Sequence, residues 1–508
     1  MVSKSPKAAV RTADPQKSVS GLDRWFEITQ RGSTIPREIR GGLVTFFTMA
    51  YILALNPIII GTSGDSQGLL LSGQPAELDG AVNGAGIDQT LAMVTAATAL
   101  VAGVMTILMG VIGRYPMGMA AGLGLNAVVA FTVAKQFPWP QAMALVLLEG
   151  ILIFILVLTG FRTAVFRAVP ASLRAAITAG IGLFICLVGL VDAGIIRPGN
   201  PLVTFGVKGS LTGWPIAVFV FGLLLLIILS ARKVPGAMLI SILAATVAAV
   251  IIESIVKVGP YAAEENETGW MLNDPQITDI VAVPDLGLIG RIDLFGAFSD
   301  PKLVMTAVML VFALLLADFF DTMGTVVAVG DEGKLLDKKG NPPHLTPILL
   351  VDSAAAAAGG LGSVSSNTAY VESTAGVADG ARTGLASVIT GVGFLLAMFF
   401  APLVKVVPSE AAAPVLVFVG FLMISQVTKI NWDDITEAIP AFLCMALMPF
   451  AYSITVGIGV GFISHVVLQI AKGNVRKIHP LLWVVFVAFV IYFVQGPILE
   501  AFAAPAEG

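Results

Sequence analysis

Residues Leu303 to Gly330 read LVMTAVMLVFALLLADFFDTMGTVVAVG, a run long and apolar enough to cross a bilayer with Asp318 and Asp321 near its middle. A carboxylate at membrane depth costs about 2.5–3.5 kcal/mol on insertion scales, so a chain that keeps two has a use for them. At a spacing of i, i+3 the two fall on one side of a helix and can share a polar cavity. The segment therefore predicts the wall of a binding site inside a membrane.

Composition places the rest of the chain in the same setting. The 508 residues are 56% hydrophobic and 12% charged, with a mean hydropathy of +0.91. That is too apolar for a soluble protein of this size. A bilayer core takes about 20 residues of helix, and runs of that kind recur along most of the sequence. There is no basic stripe or Arg-aromatic platform, which excludes nucleic acid as a partner. The two cysteines, Cys186 and Cys444, both sit in apolar runs and predict no disulfide. His344, His465 and His479 are too scattered to form a metal site. No Walker loop, HExxH or Ser-His-Asp arrangement occurs, and neither cofactor nor catalytic residue is expected.

Charge sets the orientation. The first 40 residues carry eight Lys/Arg and contain no apolar run, which predicts a cytoplasmic N-terminus and no cleavable signal peptide. The loop at 62–90 has no Lys or Arg and four acids (Asp65, Glu77, Asp79, Asp88), and 257–302 is mostly acidic, so both read as outside. Arg162, Arg167, Arg174, Arg232, Lys233, Lys334, Lys338, Lys339, Lys472, Arg476 and Lys477 mark the inner loops. The alternation closes only if 118–134 and the region around 363–380 each cross once.

Those two crossings are unusual. YPMGMAAGLGLNAVVAFT (Tyr115–Thr132) and GGLGSVSSNTAYVESTAGVADGARTG (Gly359–Gly384) are rich in Gly, Ser and Thr, with little room for a full helix. Each predicts a short extended stretch followed by a half-helix, a backbone tolerated at membrane depth only inside protein or beside a cavity. They are the third crossings of two seven-span halves of opposite orientation. Interrupted segments at matching positions of an inverted repeat point to the midplane site of a secondary transporter.

Within these segments Asn126 offers donors and acceptors, either to a ligand or to a neighbouring backbone. Glu372 opens the second half-helix. A cap interacting with the helix dipole could explain it, but Ser365, Ser366, Asn367 and Thr368 already supply capping groups, so a ligand or proton role is the stronger reading. Asp321 stands beside Thr322 and Gly324, small residues that let a flat ligand approach. Asp318 reads either as its tuning partner or as a hydrogen bond to a neighbouring helix, and Glu149 as a bond across helices near the outer end of its run. Thr374, Leu125 and Phe320 complete the candidate set, the apolar members sandwiching a ring. Carboxylates accept paired N–H donors in a bidentate way and, crowded together, can carry a proton. A neutral, planar, N–H-rich solute moved with a proton fits Asp321, Asp318 and Glu372 as coupling groups.

The stretches FFTMAYILALNP (46–57), GMAAGLGLNA (118–127), DFFDTMGT (318–325), NTAYVESTAGVADGARTGL (367–385) and EAIPAF (437–442) together resemble the azaguanine-type hypoxanthine/adenine/guanine permeases of the nucleobase–cation symporter-2 group. The resemblance covers roughly Gly41 to Lys472. It implies an all-α membrane protein of fourteen transmembrane segments, built as two inverted seven-span repeats with core and gate domains; the apolar run at 480–495 exceeds that number and either crosses or lies at the surface. It implies import of a purine nucleobase with a proton across the inner membrane, and a homodimer. By motif, Asp321 and Glu372 match the acidic substrate contacts and Asn126 the third-span Asn of this branch. Ala369 departs from the Thr often found there. The expected organisation is a cytoplasmic segment at 1–40, core at 41–160 and 303–406, gate at 172–256 and 413–471, an outer loop at 257–302 and a C-terminal segment at 472–508. An anion carrier on the same fold and a membrane-embedded enzyme using the paired acids are the alternatives.

Overall fold

A computed structural model of the chain describes residues 21–503, apart from 79–80, 161–168, 200–201, 263–265, 277–279 and 338–341. Asp79, Arg162, Arg167, Lys338 and Lys339, used above for orientation, lie outside the described residues. The chain is helical almost throughout. A short surface helix α1 (Gly21–Phe26) precedes α2 (Ile35–Met49), α3 (Ile52–Gly61) and α4 (Gly84–Leu108). After α5 (Leu123–Val128) and α6 (Trp139–Leu158) come α7 (Ala171–Asp192), α8 (Trp214–Ala231) and α9 (Ala237–Val256). The second half holds α10 (Pro301–Glu332), α11 (Leu345–Leu361), α12 (Ser373–Ala378) and α13 (Gly384–Ala397). It continues through α14 (Ser409–Ile424), α15 (Ile435–Phe450), α16 (Ile454–Ala471) and α17 (Pro480–Ala503). Ten helical stretches among the described residues are long and apolar enough to cross a membrane, and four more are apolar but shorter. This is an all-α, multi-pass membrane protein.

The helices form two packed groups. One contains α2 to α6 and α10 to α13, with α6 against α11 and α13 against α2 and α4. The other contains α7 to α9 and α14 to α16, with α7 against α14 and α15. The final helix, α17, leans on α16 of one group and α10 of the other. Its Phe489 ring lies 6.2 Å from Phe312 and 6.1 Å from Phe462.

Two three-residue strands sit at the heart of the first group. Of the six strands among the described residues, numbered in chain order, β1 (Glu77–Leu78), β2 (Ala81–Val82), β4 (Ile196–Pro198) and β5 (Val203–Phe205) form two small hairpins in loops. By contrast, β3 (Met119–Ala121) and β6 (Asn367–Ala369) pair antiparallel from opposite halves of the chain and are wholly buried. Each leads into a half-helix, β3 into α5 and β6 into α12. Extended backbone here must find partners, because lipid offers none. The strands satisfy each other, and side chains complete the account. Thr106 Oγ1 accepts from Met119 N–H at 2.9 Å and lies 3.0 Å from Met119 O. Ser387 Oγ accepts from Met117 N–H at 2.8 Å and donates to Tyr115 O at 2.7 Å. Gly118 N–H donates to Ser373 Oγ at 2.9 Å.

Glycine sets how closely α6 and α11 approach. A Cβ on Gly150 would lie 2.2 Å from Ala357 N, and one on Gly360 2.5 Å from Leu147 N, so backbone meets backbone with nothing flexible to yield. Gly150→Ala should therefore force the helices apart and cost about 1–3 kcal/mol, as overpacking does. Thermal unfolding of the detergent-purified variant measures this, and a parent-like midpoint would show that the interface can relax.

Candidate functional site

The site is built where α10, the two broken segments and the α2–α3 junction meet. The helix of the first crossing stops at Met49 and restarts at Ile52, with Ala50 and Tyr51 between. Pro57 inside α3 adds a second interruption, since proline cannot donate to the carbonyl four residues before it. Thr95 Oγ1 reaches that freed carbonyl, Leu53 O, at 3.5 Å. The break delivers Tyr51, 1% exposed, to the start of α12, where its hydroxyl donates to Glu372 Oε1.

Glu372 is the residue that opens α12, yet its side chain makes no capping bond. The capping explanation therefore fails, and the carboxylate instead turns toward Tyr51. Thr48 Oγ1 lies 3.4 Å from the Glu372 carbonyl. The Tyr370 ring is 6.5 Å from that of Tyr51, and its hydroxyl donates to Ala121 O at 2.6 Å. Asp321 lies close enough to both Glu372 and Asp352 to feel their charge.

Asp321 is exposed although it lies mid-way along a 32-residue helix. Leu314 to Phe319, on its N-terminal side, are all buried. On its C-terminal side Gly324, Val327 and Asp331 are exposed, as are Val371 and Ala378 on the second broken segment. The half-buried Glu372 and exposed Asp321 thus share a cleft that opens toward the end of α10 leading to Lys334.

Asp318 faces elsewhere. It is fully buried beside the carboxyl of Glu149, close enough for each to feel the other's charge. Glu149 is mid-helix in α6, not near its outer end as the sequence suggested, and accepts from Ser366 Oγ at 3.1 Å. Thr322 is buried and bridges the two regions, donating to Asp352 Oδ1 at 2.9 Å and lying 2.8 Å from Thr368 Oγ1. Leu125, 2% exposed, is part of the apolar core, and Thr374 Oγ1 donates to Val371 O at 2.7 Å. Asn126 is fully buried in α5, and its amide has no hydrogen-bond partner among the described residues. The side chain of Phe320 lies outside the described residues. Sequence reasoning missed Tyr51, Tyr370 and Asp352. Of these only Asp352 left a signal, as a lone carboxylate in the apolar run ILLVDSAAAAAGG.

A multi-pass helical protein with two broken segments and a cleft of carboxylates at their junction belongs to the class of membrane permeases. The chain is a member of the family described as Permease family (Xan_ur_permease), whose model matches residues 36–466. It is 35% identical over 477 residues to adenine permease AdeP of Escherichia coli (strain K12), covering 93% of this chain and 96% of that one. It is 38% identical over 481 residues to guanine/hypoxanthine permease PbuG of Bacillus subtilis (strain 168), covering 93% and 99%. Among solved structures, the transmembrane domain of the cyanobacterial bicarbonate transporter BicA shares its fold, with a TM-score of 0.56 at 14% identity over 84% of this chain and 97% of that one. The protein is a transporter, and the enzyme alternative falls away.

Proposed function

We propose that this protein is a proton-coupled symporter that imports a purine nucleobase (hypoxanthine, adenine or guanine) across the cell membrane. The observation that carries the reading is the cleft shared by Asp321 and Glu372 at the junction of the two broken segments. The purine names of AdeP and PbuG supply the substrate class. Glu372 accepts N–H bonds from the base, with Tyr51 holding its other side. Asp321 binds the ligand or exchanges a proton, and the half-buried Thr374 lies beside its approach, while Thr322 and Leu125, both buried, support the site from behind without touching the base. Asn126 orients a neighbour or touches the base, and Asp318 tunes the protonation of the site through Glu149. An anion is disfavoured by two carboxylates in the cleft.

In this reading the chain has fourteen crossings in two inverted sevens, with α17 as an additional segment. The helix group holding the cleft (41–160 and 303–406) is the core that carries the substrate. The other group (172–256 and 413–471) is the gate, which also makes the homodimer contact. With the N-terminus in the cytoplasm, the cleft faces inward. Radiolabelled purine uptake in a permease-deficient bacterial strain tests the reading. Uptake should rise as external pH falls, collapse with a protonophore and ignore added sodium. Absence of uptake for all three bases would refute the substrate class, and sodium-dependent, protonophore-insensitive uptake would refute the coupling.

A further inference from the structure

Phe131, Phe184 and Tyr452 take no part in the cleft around Asp321, yet their rings meet one another across the seam between the two helix groups. Ring centroids lie 6.3 Å apart for Phe131 and Phe184, 6.1 Å for Phe131 and Tyr452, and 5.1 Å for Phe184 and Tyr452. All three pairs are edge-on, at interplanar angles of 62°, 67° and 60°, a geometry in which aromatic rings attract. Phe131 comes from the first group, on the π-helical turn Val129–Val133 that continues α5. Such turns are commonly found at functional positions. Phe184 is on α7 and Tyr452 in the link from α15 to α16, both in the second group.

The cluster is on the side away from the cleft mouth. Phe131 leads into Lys135, whose ammonium donates to Gly64 O of the acidic outer loop at 2.7 Å. The end of α15 opposite Tyr452 begins at Asp434, which pairs with Lys472 at 2.7 Å on the inner side. Below the rings, toward the middle of the seam, the two groups touch where Ile181 packs on Gly124; a Cβ on that glycine would be 3.1 Å from Ile181 Cγ2.

The backbone of Tyr452 is itself informative. It is left-handed, with φ +49°, just past the end of α15, where its N–H donates to Pro449 O at 3.3 Å and the next N–H, of Ser453, to Met448 O at 3.1 Å. Glycine usually takes that position, because a side chain there is strained. Here a tyrosine occupies it and sets its ring against Phe131 and Phe184, half of it still open to the outside (42% exposed).

We infer that Phe131, Phe184 and Tyr452 form the outer closure of the substrate path. The rings meet while the cleft opens to the cytoplasm and part when the core moves against the gate to receive substrate from outside. This rests on the transporter reading above, but its test needs no transport. In a Cys186→Ala/Cys444→Ala background, Ile181→Cys places a thiol one helical turn inward of Phe184. Labelling of intact cells with a membrane-impermeant thiol reagent then reports access from outside.

With the three rings in place labelling should be slow. Tyr452→Gly suits the left-handed backbone and should keep or raise the melting temperature, while Phe131→Leu keeps apolar volume without the ring. Each removes two ring contacts and should speed labelling about tenfold, the shift expected when that much edge-on attraction is lost from one state. Equal rates in all three proteins, with both variants folded, would overturn the closure. So would fast labelling with the rings intact. A parent that takes up no purine but shows the tenfold change would refute the substrate assignment and leave the closure standing.

Discussion

Asp321→Asn is expected to abolish accumulation of purine against a gradient. Asparagine keeps the shape of the side chain but can neither hold a negative charge nor exchange a proton at neutral pH. Asp321 is exposed in the cleft, within electrostatic reach of Glu372 and Asp352, so a change of protonation there is felt by the whole site. In the proposed symport, losing that change would leave the driving gradient without a handle on the substrate. Initial uptake and steady-state accumulation in cells, with and without a protonophore, measure the effect. Accumulation at the parent level would show that another group couples the proton. Asp318→Asn should be milder, because Asp318 is buried behind the cleft beside Glu149 and has no direct access to a ligand there.

Glu372→Gln should weaken purine binding at least tenfold. The substitution preserves size and one acceptor oxygen but removes the charge that strengthens N–H bonds from the base. Hydrogen bonds to a charged group are worth about 1.5–3 kcal/mol, and about 1.4 kcal/mol corresponds to a factor of ten in affinity. The side chain makes no helix cap, so the loss should appear in ligand affinity and not in stability. Equilibrium binding of labelled purine to purified protein, alongside its melting temperature, separates the two. Parent-like affinity would remove Glu372 from the contact list, and loss of stability without loss of affinity would return it to a structural role.

Much of this architecture is written locally. Hydrophobic runs of bilayer length specify spanning helices because the cost of exposing polar backbone to lipid is paid segment by segment. The same cost makes the Gly- and Ser-rich stretches near 119 and 367 legible as breaks, since nothing else in such a composition could cross unbroken. Asp318, Asp321 and Glu372 stand out for a similar reason: an acid in an apolar run is visible without knowing its neighbours.

What the sequence by itself determined, then, is a multi-pass helical protein with two interrupted segments and acids beside them. Only the tertiary structure decided which acid faces the cleft. Asp318 and Asp321 are three residues apart on one helix, and the packing of α6 against α10 buries the first while leaving the second open. It also brought Tyr51 to Glu372 and Asp352 to Thr322, pairs separated by 321 and 30 residues. The meeting of Phe131, Phe184 and Tyr452 belongs to the same kind, because each ring sits in an apolar context that reads as ordinary core. The physical reason is that propensity and hydrophobicity act over a few neighbouring residues, whereas partner choice and access to water depend on surfaces assembled from distant parts of the chain.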